Sequence, residues 1–253
     1  MVILSILIWD TPDYAELLLR NLFEEIPIGD TPHQVYVLDQ GSGWRTRRIL
    51  RRYRDRIRLV RVKQNVGFPE GHNLIFRTAR ENSPVDAICV INSDVRFLEP
   101  KWLDRMVETQ ALNPKVAITS PAGLNVIREG KRVGHGTPAG EDEIRAGQYD
   151  FLSGCVTLIR ASVAGDLGLY DPVFTPGYFE DADLCYRYRA SGFELAFCPI
   201  RFEHGYLGAR TSTAKIKKDC LDRTYGDFRE RNRQEFLNRW HKELLGREDT
   251  ACP

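Results

Sequence analysis

The 253-residue sequence lacks the short motifs that identify several common enzyme classes. It contains neither G-x-G-x-x-G, which binds dinucleotides, nor G-x-x-x-x-G-K-[ST], which binds the phosphates of ATP or GTP. No two of its six cysteines form a C-x-x-C pair, and most lie in apolar segments, which argues against a zinc ribbon or a disulfide-stabilised domain. These absences disfavour a dehydrogenase, a P-loop ATPase and a small extracellular module.

Long apolar segments and a strong charge bias are also absent. No stretch reaches the roughly 18 apolar residues that a spanning helix needs. The start, MVILSILIWD, lacks the basic region and cleavage site of a signal peptide. The formal net charge is +1, with 42% hydrophobic and 28% charged residues. Bulk charge therefore selects no nucleic-acid or membrane partner, and the composition is typical of a soluble globular protein, which we expect to be cytoplasmic.

Apolar segments with the pattern of buried strands alternate with amphipathic helices in the first half, and the second half is less regular. Strands are predicted over 2–9, 35–38, 57–62, 87–91, 116–119, 133–136, 155–159 and 195–198. Helices are predicted over 11–23, 44–55, 72–80, 100–112, 181–191 and 225–245. The alternation predicts an α/β fold with a mostly parallel sheet. No linker is evident, so we expect a single domain.

Polar residues follow three of the predicted strands at the point where each strand ends. These are Asp10, the segment 39–42 and the segment 92–94. Ligands of open α/β sheets bind outside the carboxyl ends of the strands, so the three clusters together favour a nucleotide site. Each cluster alone is equally explained by turn geometry, because Asp, Asn, Ser and Gly favour turns.

Seven segments, in order, resemble those of family 2 glycosyltransferases of the GT-A fold. VYVLDQGSG, NVGFPEGHN and INSDV resemble the VVDNGS segment, the N-x-G-F-x-x-G-x-N loop and the D-x-D metal-binding segment. FLSGCVTLIR, GYFEDADLCYRYRASGFELAFCP, FEHGYLG and FLNRW resemble the acceptor-side strand, the E-D block, the trailing histidine segment and a C-terminal element. The pattern is most similar to bacterial rhamnosyltransferase-like members. The resemblance implies a Rossmann-like nucleotide-binding half over about 1–95, an acceptor and catalytic half over about 96–210, and a flexible loop and helix over about 211–253.

The resemblance also implies which residues bind the nucleotide-sugar donor. Asp39 would accept a hydrogen bond from N3–H of a uracil or thymine ring, since a carboxylate is an acceptor-only group; stabilising a turn is its alternative role. Trp9 would pack on the base, although the end of an apolar strand explains it equally. The other residues implied on the donor side are Asn65, Gly67, Asn73, Asn92 and Ser93.

A divalent cation, Mn²⁺ or Mg²⁺, is the cofactor that the resemblance implies. Asp94 would bind it, because hard cations prefer carboxylate oxygen, and the cation would bridge the two donor phosphates. His204 would supply a second ligand or contact the diphosphate, with a structural role as the alternative. Asn92 replaces the first Asp of the family motif, which leaves one carboxylate in this segment.

The resemblance places the general base at Asp181 and the acceptor side around Gly154, Glu180 and Asp183. One base suffices for transfer, whereas a glycoside hydrolase needs two paired carboxylates. The alternative for the acidic residues is a favourable interaction with a helix N-terminus. The expected reaction is inverting transfer from a dTDP- or UDP-sugar, dTDP-L-rhamnose first, to a bacterial surface glycan or lipid-linked precursor. Transfer of N-acetylglucosamine, galactose or galactofuranose, or a non-catalytic nucleotide-sugar-binding module, are the alternatives.

Two charged segments suggest further hypotheses. Residues 45–63 carry ten basic residues against one Asp, which indicates either a solvated helix face or peripheral contact with the anionic inner face of the plasma membrane. No RNP, helix-turn-helix or zinc-finger signature is present, so no nucleic-acid partner is expected. Residues 209–219 are hypothesised to close over the donor diphosphate.

Overall fold

The computed structural model describes residues 1–129, 132–205, 215–218 and 221–245. Its strands are, in chain order, β1 (Val2–Ile8), β2 (His33–Gln40), β3 (Arg58–Val62), β4 (Ala87–Ile91), β5 (Val95–Phe97), β6 (Val116–Ser120), β7 (Gly123–Glu129), β8 (Arg132–Pro138), β9 (Phe151–Leu152), β10 (Val156–Arg160), β11 (Glu194–Phe197), β12 (Phe202–His204), β13 (Lys215–Lys218) and β14 (Leu221–Thr224). Its α-helices are α1 (Pro12–Arg20), α2 (Trp44–Arg52), α3 (Phe68–Asn82), α4 (Trp102–Ala111), α5 (Glu141–Arg145), α6 (Ala161–Leu167), α7 (Glu180–Ala190) and α8 (Tyr225–Leu245). A π-helical turn (Asn21–Glu25) and a 3₁₀ turn (Pro172–Phe174) complete the helical structure of these residues.

Seven strands form the central sheet in the order β11–β6–β10–β4–β1–β2–β3. Strand β1 pairs in parallel with β2 and β4, β2 with β3, and β6 with β11. Strand β10 is antiparallel to both of its neighbours. The predicted α/β fold with a mostly parallel sheet is therefore confirmed. The carboxyl ends of β4, β1 and β2 lie side by side at one edge, so the three predicted polar clusters meet there.

Helices cover both faces of the central sheet. Successive strand residues point to opposite faces, so Ile3 belongs to one hydrophobic core and Leu4 to the other. Residues of α3, α6, α7 and α8 complete the first core, and residues of α1, α2 and α4 complete the second. Both cores are continuous with the sheet, which makes it a rigid platform for the loops at its carboxyl edge.

Some elements differ from their predictions. Helix α3 begins at Phe68 rather than His72, and Gly67 precedes it with φ +89°, a conformation that suits glycine. The three-residue strands β5 and β12 were not predicted, because segments this short show no periodicity. The predicted closing loop over 209–219 lies outside the described residues except for 215–218, which form β13.

Candidate active site

Asp39 ends its strand as a fully buried carboxylate that is bonded within the protein. Its Oδ1 accepts a hydrogen bond from the Ser42 backbone N–H at 2.9 Å, and its Oδ2 accepts one from Arg61 Nε at 2.9 Å. Arg61 is the parallel partner of Asp39 on β3. The turn-stabilising role considered from the sequence is thus present. A contact between this carboxylate and a nucleotide base stays a prediction, and it requires Arg61 to give way, because the Asp39 side chain has no exposed surface.

The turn after β1 is joined to the turn after β2. The Asp10 backbone N–H donates to Ser42 Oγ at 2.9 Å, and the Gly43 N–H donates to Asp10 Oδ1 at 2.9 Å. Asp10 has φ +50°, an uncommon conformation that this pair of bonds stabilises. Trp9, the residue predicted to pack on the base, is half-buried beside it. Asp10 and the segment 39–42 are therefore joined by hydrogen bonds into one continuous surface at the sheet edge.

The loop before α3 packs against the turn that precedes α7. Asn65 Oδ1 accepts from the Gly67 N–H at 2.8 Å, and the Phe68 N–H donates to the Pro176 carbonyl at 2.8 Å. A Cβ on Gly67 would lie 2.7 Å from Thr175 Cγ2, so only glycine permits this approach. Asn65 and Gly67 thus shape the loop, and their contact with a donor stays a prediction.

Asn73, predicted on the donor side, bonds to the backbone of Tyr170 in the structure. Its Nδ2 donates to the Tyr170 carbonyl at 2.7 Å, and its Oδ1 accepts from the Tyr170 N–H at 3.0 Å. Both polar atoms of the amide are used by one backbone residue that is distant in sequence. The geometry therefore favours a role in fixing the chain near residue 170 over direct donor contact.

Asp94 and His204, the two predicted metal ligands, are neighbours in the structure. Strand β12 pairs with β5 so that His204 lies opposite Val95, and His204 Nε2 lies 3.3 Å from Asp94 Oδ1. Asn92 Nδ2 lies 3.2 Å from the same nitrogen, and Ser93 is half-buried in the turn between them. The unpredicted β5–β12 pair is what brings residue 204 to the sheet edge.

These side chains fit a divalent cation that relies mainly on the donor for its ligands. Two ligands about 2.1 Å from an ion and at right angles to each other lie about 3.0 Å apart, close to the observed separation. Mg²⁺ is commonly held by one or two protein ligands together with substrate phosphates. Within the described residues no group of three or more His, Cys, Asp or Glu side chains could hold a metal, so the pair alone would bind an ion weakly.

Asp181, the predicted base, lies in the first turn of α7. The Gly154 N–H donates to Asp181 Oδ2 at 3.2 Å, and the Ala182 N–H donates to its Oδ1 at 2.8 Å. A Cβ on Gly154 would lie 3.3 Å from Asp181 Cβ, so the glycine allows the close approach. The next residue, Cys155, accepts from the Asn92 N–H at 2.9 Å. A single dipeptide thus connects the predicted base to Asn92, a predicted donor-side residue two positions before Asp94.

Two buried groups near this dipeptide carry perturbed ionisation. Burial raises the pKa of the Cys155 thiol to about 11, and the charges of Asp181 and Asp94 act in the same direction. Burial, followed by the charge of Asp181, holds the pKa of Glu180 well above its usual range. Glu180 Oε2 is buried without a hydrogen-bond partner among the described groups. The fold therefore favours a neutral Glu180 beside Asp181.

Asp183 contacts side chains of α8. Its fully buried carboxylate accepts from Arg187 Nε at 2.7 Å, from Trp240 Nε1 at 3.0 Å and from Arg239 Nη1 at 3.4 Å. Such a network holds two helices together. The acceptor-side role of Asp183 stays a prediction, and the structure gives its carboxylate three partners within the protein.

His72 lies under the site with no exposed surface. Its Nδ1 lies 2.7 Å from Ser5 Oγ on β1, and its ring contacts those of Phe68 and Tyr170 at centroid distances of 4.4 and 6.0 Å. Burial lowers the pKa of His72 to about 3. The ring is therefore a neutral packing element at physiological pH.

The sequence patterns did not indicate the role of Arg61, which was part of the predicted basic run. The parallel pairing of β2 and β3 places it beside Asp39. Both strands were predicted, so aligning their residues in a parallel register could have placed Arg61 beside Asp39. Asn232 and Trp240 gave no such signal, because their partners are backbone or side-chain groups far away in sequence.

Comparison with family models decides the class of the protein. The model described as glycosyl transferase family 2 matches residues 9–168. The chain belongs to this family. The match includes Asp39 and Asp94 and ends before Asp181 and His204, so the predicted roles of the last two rest on sequence resemblance and geometry. Family membership supports the predicted glycosyltransferase activity, whereas the rhamnosyltransferase-like subtype stays a prediction.

Solved structures of other glycosyltransferases share the fold. A mannosyltransferase, PcManGT from Pyrobaculum calidifontis, in complex with GDP-Man and Mn²⁺, aligns with a TM-score of 0.60 and 16% identity over 78% of this chain and 54% of that one. GalNAc-T7 with UDP, GalNAc and Mn²⁺ aligns with a TM-score of 0.61 and 14% identity over 81% of this chain and 43% of that one. This chain therefore spans about half the length of each, and at these identities the likeness concerns the fold.

Curated proteins gave no match to the chain. Among the described residues, no helix combines the length and the apolar character that crossing a membrane requires.

Proposed function

We propose that the protein is an inverting glycosyltransferase that moves a sugar from a dTDP- or UDP-sugar to a hydroxyl of a bacterial surface glycan or lipid-linked precursor. dTDP-L-rhamnose is the first candidate donor, by sequence resemblance. The observation that carries the proposal is the dipeptide Gly154–Cys155: the Gly154 N–H donates to Asp181 Oδ2, and the Cys155 carbonyl accepts from the Asn92 N–H. The predicted base Asp181 and the predicted donor-side residue Asn92 are thus held by one dipeptide, an arrangement that suits transfer of a sugar from a donor to an acceptor.

The proposed reaction needs one base. Asp181 takes the proton of the acceptor hydroxyl while that oxygen forms a bond to the anomeric carbon. The bond from this carbon to the donor phosphate breaks on the opposite face, and its electron pair leaves with the nucleoside diphosphate. Asp94 and His204 would hold a divalent cation, Mn²⁺ or Mg²⁺, whose chemistry when bound is to neutralise charge on the departing diphosphate. The neighbours' GDP-Man, UDP and Mn²⁺ support this donor class and cofactor.

Asp181→Asn tests the base. The substitution keeps the size of the side chain and removes its ability to take a proton, so we expect transfer to fall by about 10²- to 10⁴-fold while nucleotide-sugar binding is kept. Binding is measured as a thermal shift with dTDP- and UDP-sugars, with and without Mn²⁺. The exposed Asp166, changed to Asn, is the matched control. Full turnover by Asp181→Asn would refute the assignment, and binding without turnover by the unmodified protein would indicate a non-catalytic module.

A basic surface on the protein suits contact with an anionic membrane, where a lipid-linked acceptor would lie. We define it by the exposed arginines of α2, the following turn and β3: Arg45, Arg47, Arg48, Arg51, Arg52, Arg54, Arg56, Arg58 and Arg61. Acidic partners lie beside three of them, namely Glu16, Asp55 and Asp39. Trp44, at the start of α2, is 62% exposed. Positive charge with an exposed aromatic suits an anionic membrane surface, where each basic residue adds about 1 kcal/mol.

We therefore propose peripheral membrane association through the basic surface, on the cytoplasmic side. Flotation with phosphatidylglycerol vesicles should recover the protein, and phosphatidylcholine vesicles should not. Raising the salt concentration should release the bound fraction, since exposed charges are screened. Equal recovery with both kinds of vesicle would contradict the proposal.

A further inference from the structure

Helix α8 presents a buried asparagine to the turn that leads into α7. Asn232 has no exposed surface, although its neighbours on the same buried face, Phe236 and Leu244, are apolar. Burying an amide without partners costs free energy, so such a residue is expected to be fully bonded. Its Oδ1 accepts from Arg231 at 2.9 Å. Its Nδ2 donates the remaining hydrogen bonds of the side chain, and all of them go to one turn.

The Asn232 amide donates to three carbonyl oxygens of that turn. Nδ2 lies 2.6 Å from Phe174 O, 2.8 Å from Gly177 O and 3.3 Å from Tyr178 O. Arg231 adds bonds from Nη2 to the carbonyls of Val173 and Thr175. We call residues 173–179 the entry turn, because Glu180 begins α7 directly after them. One end of the entry turn is therefore held by α8.

The entry turn has an unfavourable backbone conformation. Tyr178 and Phe179 have φ values of +73° and +70°, a region that bulky residues rarely adopt. Residues in this region are strained and persist only when their surroundings fix them. Phe179 also packs on Phe236, with ring centroids 5.4 Å apart. Helix α8 thus supplies both the hydrogen bonds and the packing that stabilise this conformation.

The other side of the entry turn touches the loop before α3. The Pro176 carbonyl accepts from the Phe68 N–H at 2.8 Å, and Gly67 approaches Thr175 and Pro176 as closely as its missing Cβ allows. The position of the entry turn therefore sets the distance between that loop and the first turn of α7. Asp181 follows the strained pair by two residues.

We infer that Asn232 is a positioning residue for Asp181, acting through the entry turn. The catalytic part of this inference rests on the proposed function, whereas the position of Asp181 can be measured without any activity. Without the three amide bonds, the strained pair relaxes and α7 begins in a different position. A displacement of about 1 Å at a reacting group can cost about 10²-fold in rate.

The Gly154 amide reports the placement of Asp181, because its N–H donates to Asp181 Oδ2. In full-length protein labelled with ¹⁵N-glycine, Asp181→Asn identifies the Gly154 resonance and shows its response when the carboxylate is lost. We expect Asn232→Ala to shift this resonance and to speed its amide exchange. Asn238→Ala, at an exposed asparagine of the same helix, should leave it unchanged.

A second control separates positioning from loss of stability. Leu244→Ala destabilises the far end of α8, where Leu244 is buried, without touching the entry turn. In transfer assays we expect Asn232→Ala to lower kcat about 10- to 100-fold with the donor KM within about threefold, and Leu244→Ala to keep kcat.

The two proposals fail in different ways. An unmoved Gly154 resonance in Asn232→Ala, or an equal shift in Leu244→Ala, would overturn the positioning role whatever the activity. Absence of any sugar transfer by the unmodified protein would overturn the proposed function, and the Gly154 resonance would still decide whether Asn232 places Asp181.

Discussion

Replacing His72 with Gln should reduce the acid sensitivity of the fold. The histidine is buried and neutral, and burial lowers its pKa to about 3 against an ordinary value of 6.5. The unfolded chain therefore takes up a proton as the pH falls through 6.5, while the folded chain does not. Stability is fully present above pH 6.5 and is lost progressively as the pH falls toward 3.

The size of this loss follows from the two pKa values. The proton linkage removes about 0.1 kcal/mol from the free energy of unfolding at pH 7.5 and about 2 kcal/mol at pH 5.0. Glutamine does not titrate and has an amide that can still bond to Ser5 Oγ. The variant loses ring contacts with Phe68 and Tyr170 at every pH, so its absolute stability falls, but its decline between pH 7.5 and 5.0 should be smaller by about 2 kcal/mol.

Urea unfolding followed by tryptophan fluorescence measures both free energies at each pH. His241→Gln is the matched control, because His241 is exposed on α8 and the same substitution there removes no buried ring. If His72→Gln and the unmodified protein lost equal stability between the two pH values, His72 would have to be protonated within the fold, and the account of its burial would be refuted.

Two further predictions concern the acidic residues of α7. Burial and the charge of Asp181 raise the pKa of Glu180. The stability that comes from its neutral form is therefore complete below the ordinary pKa of 4.5 and is lost as the pH rises through the folded pKa. Glu180→Gln should flatten the pH dependence of the unfolding free energy in urea between pH 5 and 8, and an unchanged slope would contradict this. Asp183→Asn removes the charge that faces two arginines and should cost about 3 kcal/mol in the same assay; a loss no larger than that of the exposed Asp166→Asn would show that the network is not stabilising.

The sequence predicted those parts of the fold that repeat with a period. The alternation of buried strands and amphipathic helices is strong around β1, β2 and β4, and it predicts the mostly parallel sheet. The strands β5 and β12 have three residues each, too few for a period to be visible. Their pairing is a tertiary contact, and only the structure shows that it brings His204 to Asp94.

The candidate site was predicted unevenly for a similar reason. Residue types at strand ends indicated Asp39 and Asp94, because turns at a sheet edge place polar groups there, whereas Asp181 was predicted from the family resemblance alone. What each side chain bonds to was not predictable, since the partners are remote: Asp39 binds Arg61 across two strands, and Asn73 binds the backbone of Tyr170. Local patterns indicate which residues reach the site, and long-range contacts decide which atoms remain available to a ligand.

The environment of α7 explains how two adjacent acids can have different roles. Glu180 is buried, and the charge of Asp181 beside it further disfavours its ionised form. Asp181 receives hydrogen bonds from Gly154 and Ala182, which are bonds that stabilise a carboxylate. The helix N-terminus favours negative charge in the same turn. The first turn of α7 therefore places a buried carboxyl group whose Oε2 has no described partner beside one that two backbone N–H groups bond, and this difference in environment underlies the separate roles proposed for Glu180 and Asp181.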